Sequence, residues 1–383
     1  MSRWQRYVTR YAITGAAIAN CLGVAQVAIE RAFAGQDGFS QASAYGDFPF
    51  TTSLGVMPIA EPMRLAGVAL PSVRAIESAV HAAVARWGGD RVAYLFASST
   101  GGLEETERAL APSARMPATS AYSYANHGID VTSDRIMKML GITGIQMTAS
   151  TACSSSFKAL ASALRLIDAG LADAVVVGSA DSLCRTTIFG FHSLGLLAPT
   201  PTAPFSAHRA GITLAEGSAF LLIEREAAEP RAWIAGIGAA SDAFHHTSPH
   251  PEGLGGQLAM RQALDRAGLS PNQIGMVSAH GTGTKLNDAA EALAINRVFE
   301  RPVPVTATKS VTGHTLGSAG LTALVLALES LERQLIPPSL RAQPVDEALA
   351  VNLVTERTAA KLEHVLINAF GFGGSNASVV VSA

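Results

Sequence analysis

Cysteine is scarce in this chain: Cys21, Cys153 and Cys184 are all there are in 383 residues. So few, odd in number and widely spaced, they exclude a disulfide framework and any CxxC metal site, and they suit a reducing cytoplasm. Charge is also sparse, at 15% of residues with a net charge of −2. Composition thus gives no reason to expect nucleic acid or an anionic membrane as a partner, and any basic patch has to be local. No apolar run reaches the roughly 18 residues of a membrane-spanning helix. Arg3, Arg6 and Arg10 ahead of Tyr11–Leu22 imitate a signal peptide, but Thr14, Gly15 and Asn20 interrupt the apolar stretch, which runs on into helix-like sequence. What is plentiful is apolar surface, 48% of residues, together with 35 glycines. That composition can bury a large core in more than one packed unit and suits an α/β protein with tight strand-to-helix turns.

The chain is organised around Met147–Asp168, MTASTACSSSFKALASALRLID. Small and β-branched residues lead into Thr151-Ala152-Cys153-Ser154, after which Phe157, Leu160, Ala161, Leu164 and Ile167 recur at helical spacing. The pattern is a strand, a corner and a helix, with Cys153 at the corner. A thiol at a helix start meets unpaired N–H groups and the positive end of the helix dipole, which favour thiolate and make Cys153 a candidate nucleophile. A buried, inert cysteine fits the same position.

Ahead of that stretch, Tyr7–Thr14 reads as a strand, with Gly15-Ala16-Ala17 turning into a helix over Val24–Ala34. Phe39–Pro71 reads as loop, Ser72–Trp87 as an amphipathic helix, Arg91–Ala97 as a buried strand and Thr119–Leu140 as mostly helix. After it comes a short strand, Ala174–Gly178. From Arg231 the pattern restarts: strand Ala232–Ile237, helix Gly256–Ala267, strand Ile274–Ala279 ending in His280, helix Asn287–Val298, strand Val303–Lys309 leading to His314, and helix Ser318–Leu331. Two similar halves of alternating strands and helices predict parallel-rich sheets, with reactive groups at the carboxyl ends of strands where the halves meet.

His280 and His314 both follow strands amid Gly and Thr, and with Cys153 they form a set suited to covalent catalysis. Lys309 lies on the strand before His314, placed to orient a carboxylate such as Glu291; a solvent-facing salt bridge is the alternative. Near the C-terminus, Asn368-Ala369-Phe370-Gly371-Phe372-Gly373-Gly374-Ser375-Asn376 joins two strands, and its glycines allow backbone N–H groups close to a ligand. Neither Lys-Ser/Thr nor a helix follows them, which argues against a phosphate-cradling loop. No cofactor and no metal is expected.

TACSSS, SAHGTGT, TKSVTGHTLGSAG and NAFGFGGSN, in this order, together with SDAFHHTSP (Ser241–Pro249), resemble the elongating β-ketoacyl-[acyl-carrier-protein] synthases of the thiolase-like superfamily nearly end to end. The resemblance implies a five-layer α-β-α-β-α fold of two pseudo-repeated halves, 1–228 carrying the nucleophile and 229–383 carrying both histidines, assembled as a dimer. It implies that Cys153 accepts an acyl group from acyl carrier protein and that His280 and His314 assist decarboxylation of malonyl carrier protein. The N–H groups of Cys153 and Phe372 then hold the oxyanion, with Phe372 also the gating aromatic. Lys309, Glu291 and Asp288 match the supporting polar groups. The chain departs from the family pattern at Ser206 and Ala210, where acidic residues are usual, which implies an altered polar network behind the site. Its first half is also shortened between Phe39 and Arg91, and both departures point to a specialised polyketide or polyene pathway more than to housekeeping fatty-acid synthesis. The alternative is a non-catalytic, chain-length-factor-like partner in a heterodimer, which typically lacks the cysteine; a thiolase would need a second active-site cysteine. Expected partners are acyl carrier protein and a second ketosynthase-like chain, identical or a diverged sister. Arg64, Arg74 and Arg209 are candidates for a small basic dock.

Overall fold

The computed structural model describes residues 10–59, 64–110 and 123–383. The expected strand start at Tyr7, Arg3 and Arg6 of the signal-like stretch, and the first residues of the expected Thr119–Leu140 helix lie outside them. In the first half, β1 (Tyr11–Asn20), α1 (Arg64–Trp87), β2 (Val92–Ala97), α2 (Ile129–Met139), β3 (Gln146–Ala149), α3 (Ser155–Asp168), β4 (Ala174–Asp181), α4 (Arg185–Ser193) and β5 (Gly217–Glu224) follow in order. The second half contains β6 (Ala232–Ser241), α5 (Leu254–Ala267), β7 (Met276–Ser278), α6 (Lys285–Val298), β8 (Pro304–Thr306), α7 (Ala319–Arg333), β9 (Asn352–Leu353), β10 (His364–Gly371) and β11 (Ser375–Ser382).

The strand pairings reveal the repeat. Strand β1 runs antiparallel to β5, β5 antiparallel to β4, β4 parallel to β2 and β2 parallel to β3. In the same sequence of senses, β6 pairs β11, β11 pairs β10, β10 pairs β7 and β7 pairs β8. The halves join where Tyr11, Ala12 and Ile13 of β1 meet Ile234, Trp233 and Ala232 of β6.

Alternation along the strands assigns the layers, because successive side chains point to opposite faces. Val175 and Val177 of β4 face a core shared with Phe157 and Leu164 of α3, Leu324 and Leu328 of α7, and Ile367 and Val379 of the second half. Val176, one residue away, faces Val73 and Val80 of α1 and Ile136 of α2. On the far side, Leu366 and Val380 face Met260 and Leu264 of α5 and Ile295 of α6. Helices α3 and α7 therefore lie between two layers of one sheet that is continuous through the β1–β6 pairing, and α1/α2 and α5/α6 lie outside it, which is the expected α-β-α-β-α stack. All of α7 from Ala319 to Leu331 is buried, as suits a helix apolar around its whole circumference.

Three expectations fail locally. The strand before His314 ends at Thr306, and Lys309 opens a short helix, Lys309–Thr312, instead of closing that strand. Gly15-Ala16-Ala17 is not a turn; β1 continues through it to Asn20, and the next helix is Gln26–Phe33. Because β1 is buried on both faces its sequence shows no alternation, and its glycine serves close packing: a Cβ at Gly15 would sit 3.2 Å from Leu222 Cβ and 3.6 Å from Ala79 Cβ. Helix α1 begins at Arg64 rather than Ser72 and contains Pro71. Proline removes a helical N–H, but Leu65, Ala66, Val68 and Ala69 are buried there, and Ser218 Oγ donates to Val68 O at 2.7 Å. Tertiary packing outweighs the breaker.

Candidate active site

Cys153 sits at the β3-to-α3 corner, after Ala152 in the left-handed region at φ +51°. The corner is tied by short side chains. Ser155 Oγ accepts from Thr151 N at 2.8 Å and donates to Ala152 O at 2.6 Å, and Ser154 Oγ reaches Ser375 Oγ at 2.9 Å. Gly371 lets the β10–β11 turn approach, since a Cβ there would lie 3.2 Å from Ser154 N and Thr151 O.

His314 Nε2 lies 3.1 Å from Cys153 Sγ, and the His280 and His314 rings stand edge to face with centroids 5.4 Å apart. All three side chains are buried, and their reactive atoms lie within 4.8 Å of one another. Among the described residues this is the one His/Cys/Asp/Glu cluster at metal-ligand spacing, and its members are the three residues the sequence points to as a covalent-catalysis set. The neighbours fix the tautomers. Leu316 N donates to His314 Nδ1 at 3.1 Å, so the proton of the neutral ring is on Nε2, facing the sulfur. Lys309 Nζ lies 3.2 Å from His280 Nδ1 and also donates to His280 O, which leaves His280 Nε2 as the N–H as well. Burial, reinforced by the charge of Lys309, holds both imidazoles well below 6.5. Burial likewise lowers Lys309 to about 8.

The thiol departs from expectation. Burial pushes Cys153 up to about 11; Lys309 and the backbone N–H groups of Phe372 and Cys153 pull in the other direction without overcoming it. The resting group is a thiol. Desolvation at this closed corner exceeds the pull of the helix start. Cys21 and Cys184, also raised to about 12 by burial, stand apart from the site.

Glu291 and Asp288 hold backbone rather than a cation. Glu291 accepts from His280 N and Gly281 N at 2.7 Å each and from Asn368 Nδ2 at 3.0 Å. Asp288 accepts from Thr282 N at 3.1 Å and Phe205 N at 2.8 Å. The expected Lys309–Glu291 pair is therefore indirect, with the His280 loop between the two groups. Phe372 is in the turn after β10, its ring stacked on Phe191 of α4 at 5.5 Å. A cavity of about 750 Å³ opens over the sulfur, lined by Cys153, His280, His314, Phe191, Ile212 and Phe372 among others.

Two of the expected docking arginines are not on the surface. Arg64 is 7% exposed and its Nε donates to Glu216 at 2.6 Å; Arg209 is 8% exposed and pairs with Asp346 at 2.6 Å. Arg74 alone is exposed. Asp346, whose N–H donates to Phe205 O at 2.9 Å, brings its carboxylate to Arg209 from a segment that local spacing could not connect to it. Phe191, which stacks on Phe372, carries no local signal in the sequence, whereas Asn368 opens the Gly/Phe motif.

No helix among the described residues is long and apolar enough to cross a membrane. Residues 71–229 match the beta-ketoacyl synthase N-terminal domain and residues 231–343 the C-terminal domain. 3-Oxoacyl-[acyl-carrier-protein] synthase 2 of Vibrio cholerae is 34% identical over 273 residues, 66% of each chain. Nodulation protein E of Rhizobium meliloti is 32% identical over 340 residues, 85% of this chain and 80% of that protein. The chain spans 64–66% of the length of the first curated relatives it matches. Among solved structures, a ketosynthase in complex with its chain length factor from Xenorhabdus doucetiae superposes with a TM-score of 0.90 at 35% identity, over 100% of both chains. A beta-ketoacyl synthase from Burkholderia phymatum gives 0.87 at 27%, over 98% of this chain and 99% of that one. With both family domains matched along the chain and the ketosynthase layers reproduced, the chain belongs to the β-ketoacyl synthase family of condensing enzymes and has the thiolase-like fold.

Proposed function

We propose that this chain is an active β-ketoacyl-[acyl-carrier-protein] synthase that joins an acyl chain held on Cys153 to malonyl carrier protein by decarboxylative Claisen condensation. The observation that carries the reading is Cys153 Sγ at 3.1 Å from His314 Nε2, in a pocket where His280 and His314 both present Nε2–H.

The chemistry follows from those atoms. Cys153 sulfur attacks the primer thioester; its S–C bond forms, the carrier's C–S bond breaks, and the thiol proton leaves with the carrier thiol. Malonyl thioester then loses carbon dioxide as the C–C bond breaks and its electron pair passes into an enolate. The enolate oxygen lies against two N–H donors fixed in advance in a water-poor site, where such donors are most effective. The enolate carbon attacks the Cys153 thioester, the oxyanion rests on the N–H groups of Cys153 and Phe372, and its collapse breaks the C–S bond and releases the Cys153 sulfur as a thiolate, which takes up one proton from water to restore the thiol. Both imidazoles act as donors, so no strong base is required.

Carrier-bound substrates accord with a cavity that reaches the surface above the sulfur. Pairing with a ketosynthase-like sister chain accords with the Xenorhabdus doucetiae relative, solved with its chain length factor, and a specialised type II pathway accords with the same likeness. The non-catalytic partner reading is disfavoured by an assembled Cys-His-His set. Residues 1–228 would be the half that supplies the nucleophile and 229–383 the half that supplies the imidazoles. A reducing cytoplasm suits three free thiols.

Intact-mass spectrometry with a panel of acyl carrier proteins tests the reading. The expected result is a shift equal to one acyl group on the wild type and none on Cys153→Ala. No acylation from any primer would overturn it.

A further inference from the structure

Asp181, at the carboxyl end of β4, is fully buried and absent from the chemistry above. It accepts from Ser98 Oγ at 2.8 Å, Ser99 N at 2.7 Å, Ser99 Oγ at 3.1 Å, Thr100 N at 2.8 Å, Thr100 Oγ1 at 2.9 Å and Gly317 N at 2.6 Å. Burial raises the Asp181 carboxyl above its ordinary range, and the donors around it, three of them backbone N–H groups that can only donate, pull the other way and favour the carboxylate form. Among the described residues no ion pair offsets the charge, and an unpaired buried anion is costly enough to need a reason.

The reason lies in what the donors belong to. Gly317 ends the turn that starts at His314, and between them Leu316, at φ +52°, sends its N–H to His314 Nδ1. Gly317 is wedged: a Cβ there would sit 2.8 Å from Asp181 Oδ2, 3.2 Å from Ser99 N and 3.2 Å from Ser155 Cβ. Ser155 in turn holds the Cys153 corner through Thr151 and Ala152. One carboxylate thus fastens the His314 turn to the loop after β2, beside the first turn of α3.

We propose that Asp181 is a positioning residue for the condensation, anchoring the His314–Gly317 turn so that His314 Nε2–H is held on Cys153 Sγ. This rests on the proposed function. Asp181 acts through the turn and touches no reacting atom. Its charge has a second effect: burial is the main cause that disfavours the Cys153 thiolate, and among the charged groups around it Lys309 opposes that effect while Asp181 adds to it.

Asp181→Asn keeps the shape and removes the charge. The expected result is a fall of about tenfold or more in kcat for malonyl decarboxylation with KM for malonyl carrier protein within about twofold, since misplacement by about 1 Å can cost ~100-fold. Iodoacetamide labelling of Cys153 should also move to lower pH, which a merely structural role would not produce. Unchanged decarboxylation together with an unchanged labelling profile would overturn the proposal. Should Asp181→Asn not fold, Gly317→Ala leaves the charge in place and displaces the turn; it should lower kcat without moving the labelling profile, and an unchanged kcat would overturn the proposal. If the wild type neither acylates nor decarboxylates, the functional reading fails, while the labelling shift still reports Asp181 independently of turnover.

Discussion

Burial keeps His280 and His314 neutral at physiological pH, and their Nδ1 partners leave each with one outward N–H. A donor of that kind does not titrate in the working range. Malonyl decarboxylation should therefore be flat between about pH 6 and 7.5, the region where a free imidazole with pKa near 6.5 changes charge. The sign is fixed by the downward direction of both shifts: protonation sets in only well below 6.5 and adds a charge that the pocket does not solvate. A rate profile with a midpoint near 6.5 would contradict the assignment. Removing a donor, as in His314→Ala, should lower decarboxylation by roughly 10²–10³-fold, the usual cost of one oxyanion-type donor, while acylation of Cys153 persists in intact-mass spectra. At this scale much was legible, because Cys153, His280 and His314 each stand beside glycine or small polar residues, the first two just after strands and His314 after the short helix Lys309–Thr312. The ionisation of Cys153 was not, because desolvation depends on what closes over the sulfur. Nor was the burial of Arg64 and Arg209, whose partners Glu216 and Asp346 lie far away in sequence.

Helix α7 carries the argument at the level of elements. It begins just after the His314 turn and is packed between both layers of the sheet, so the position of His314 depends on a helix with no solvent face. Leu324 of α7 is 0% exposed, whereas Leu258 of α5 is 51% exposed. Leu324→Ala should cost about 2–5 kcal/mol, the transfer and cavity cost of a leucine truncated in a core, and Leu258→Ala less than about 0.5 kcal/mol. Urea unfolding followed by circular dichroism measures both, and similar costs would mean that the layer assignment is wrong. Elements were legible where periodicity and burial agree: α3, α5, α6 and α7 all appear in the apolar spacing to within a few residues. They were obscure where burial erases periodicity, as in β1, or where packing overrides a breaker, as at Pro71 in α1.

Across the whole molecule, the sheet ends differently in the two halves. The second half closes with the two-residue strand β9, too short to recruit another chain. The first half ends at β3, which pairs only with β2 among the described residues and leaves Ile145 37% and Met147 43% exposed. An open edge with apolar side chains is a template for strand addition, and folded proteins cover such edges. A second ketosynthase-like chain adding its own β3 antiparallel would extend the sheet across a two-fold axis, the commonest closed symmetry. Because β3 leads directly into the Cys153 corner, such a partner would also stand close to the nucleophile and could shape the acyl chain it accepts. Periodicity alone did not mark this edge, since β3 is short and reads like any other strand. Met147→Lys places a charge on that edge, a common natural device against pairing. Sedimentation velocity should show the wild type as a dimer, with itself or with a sister chain, and the variant shifted toward monomer with its circular dichroism unchanged. A variant that dimerises as tightly as the wild type would place the interface elsewhere and remove the partner from the neighbourhood of Cys153.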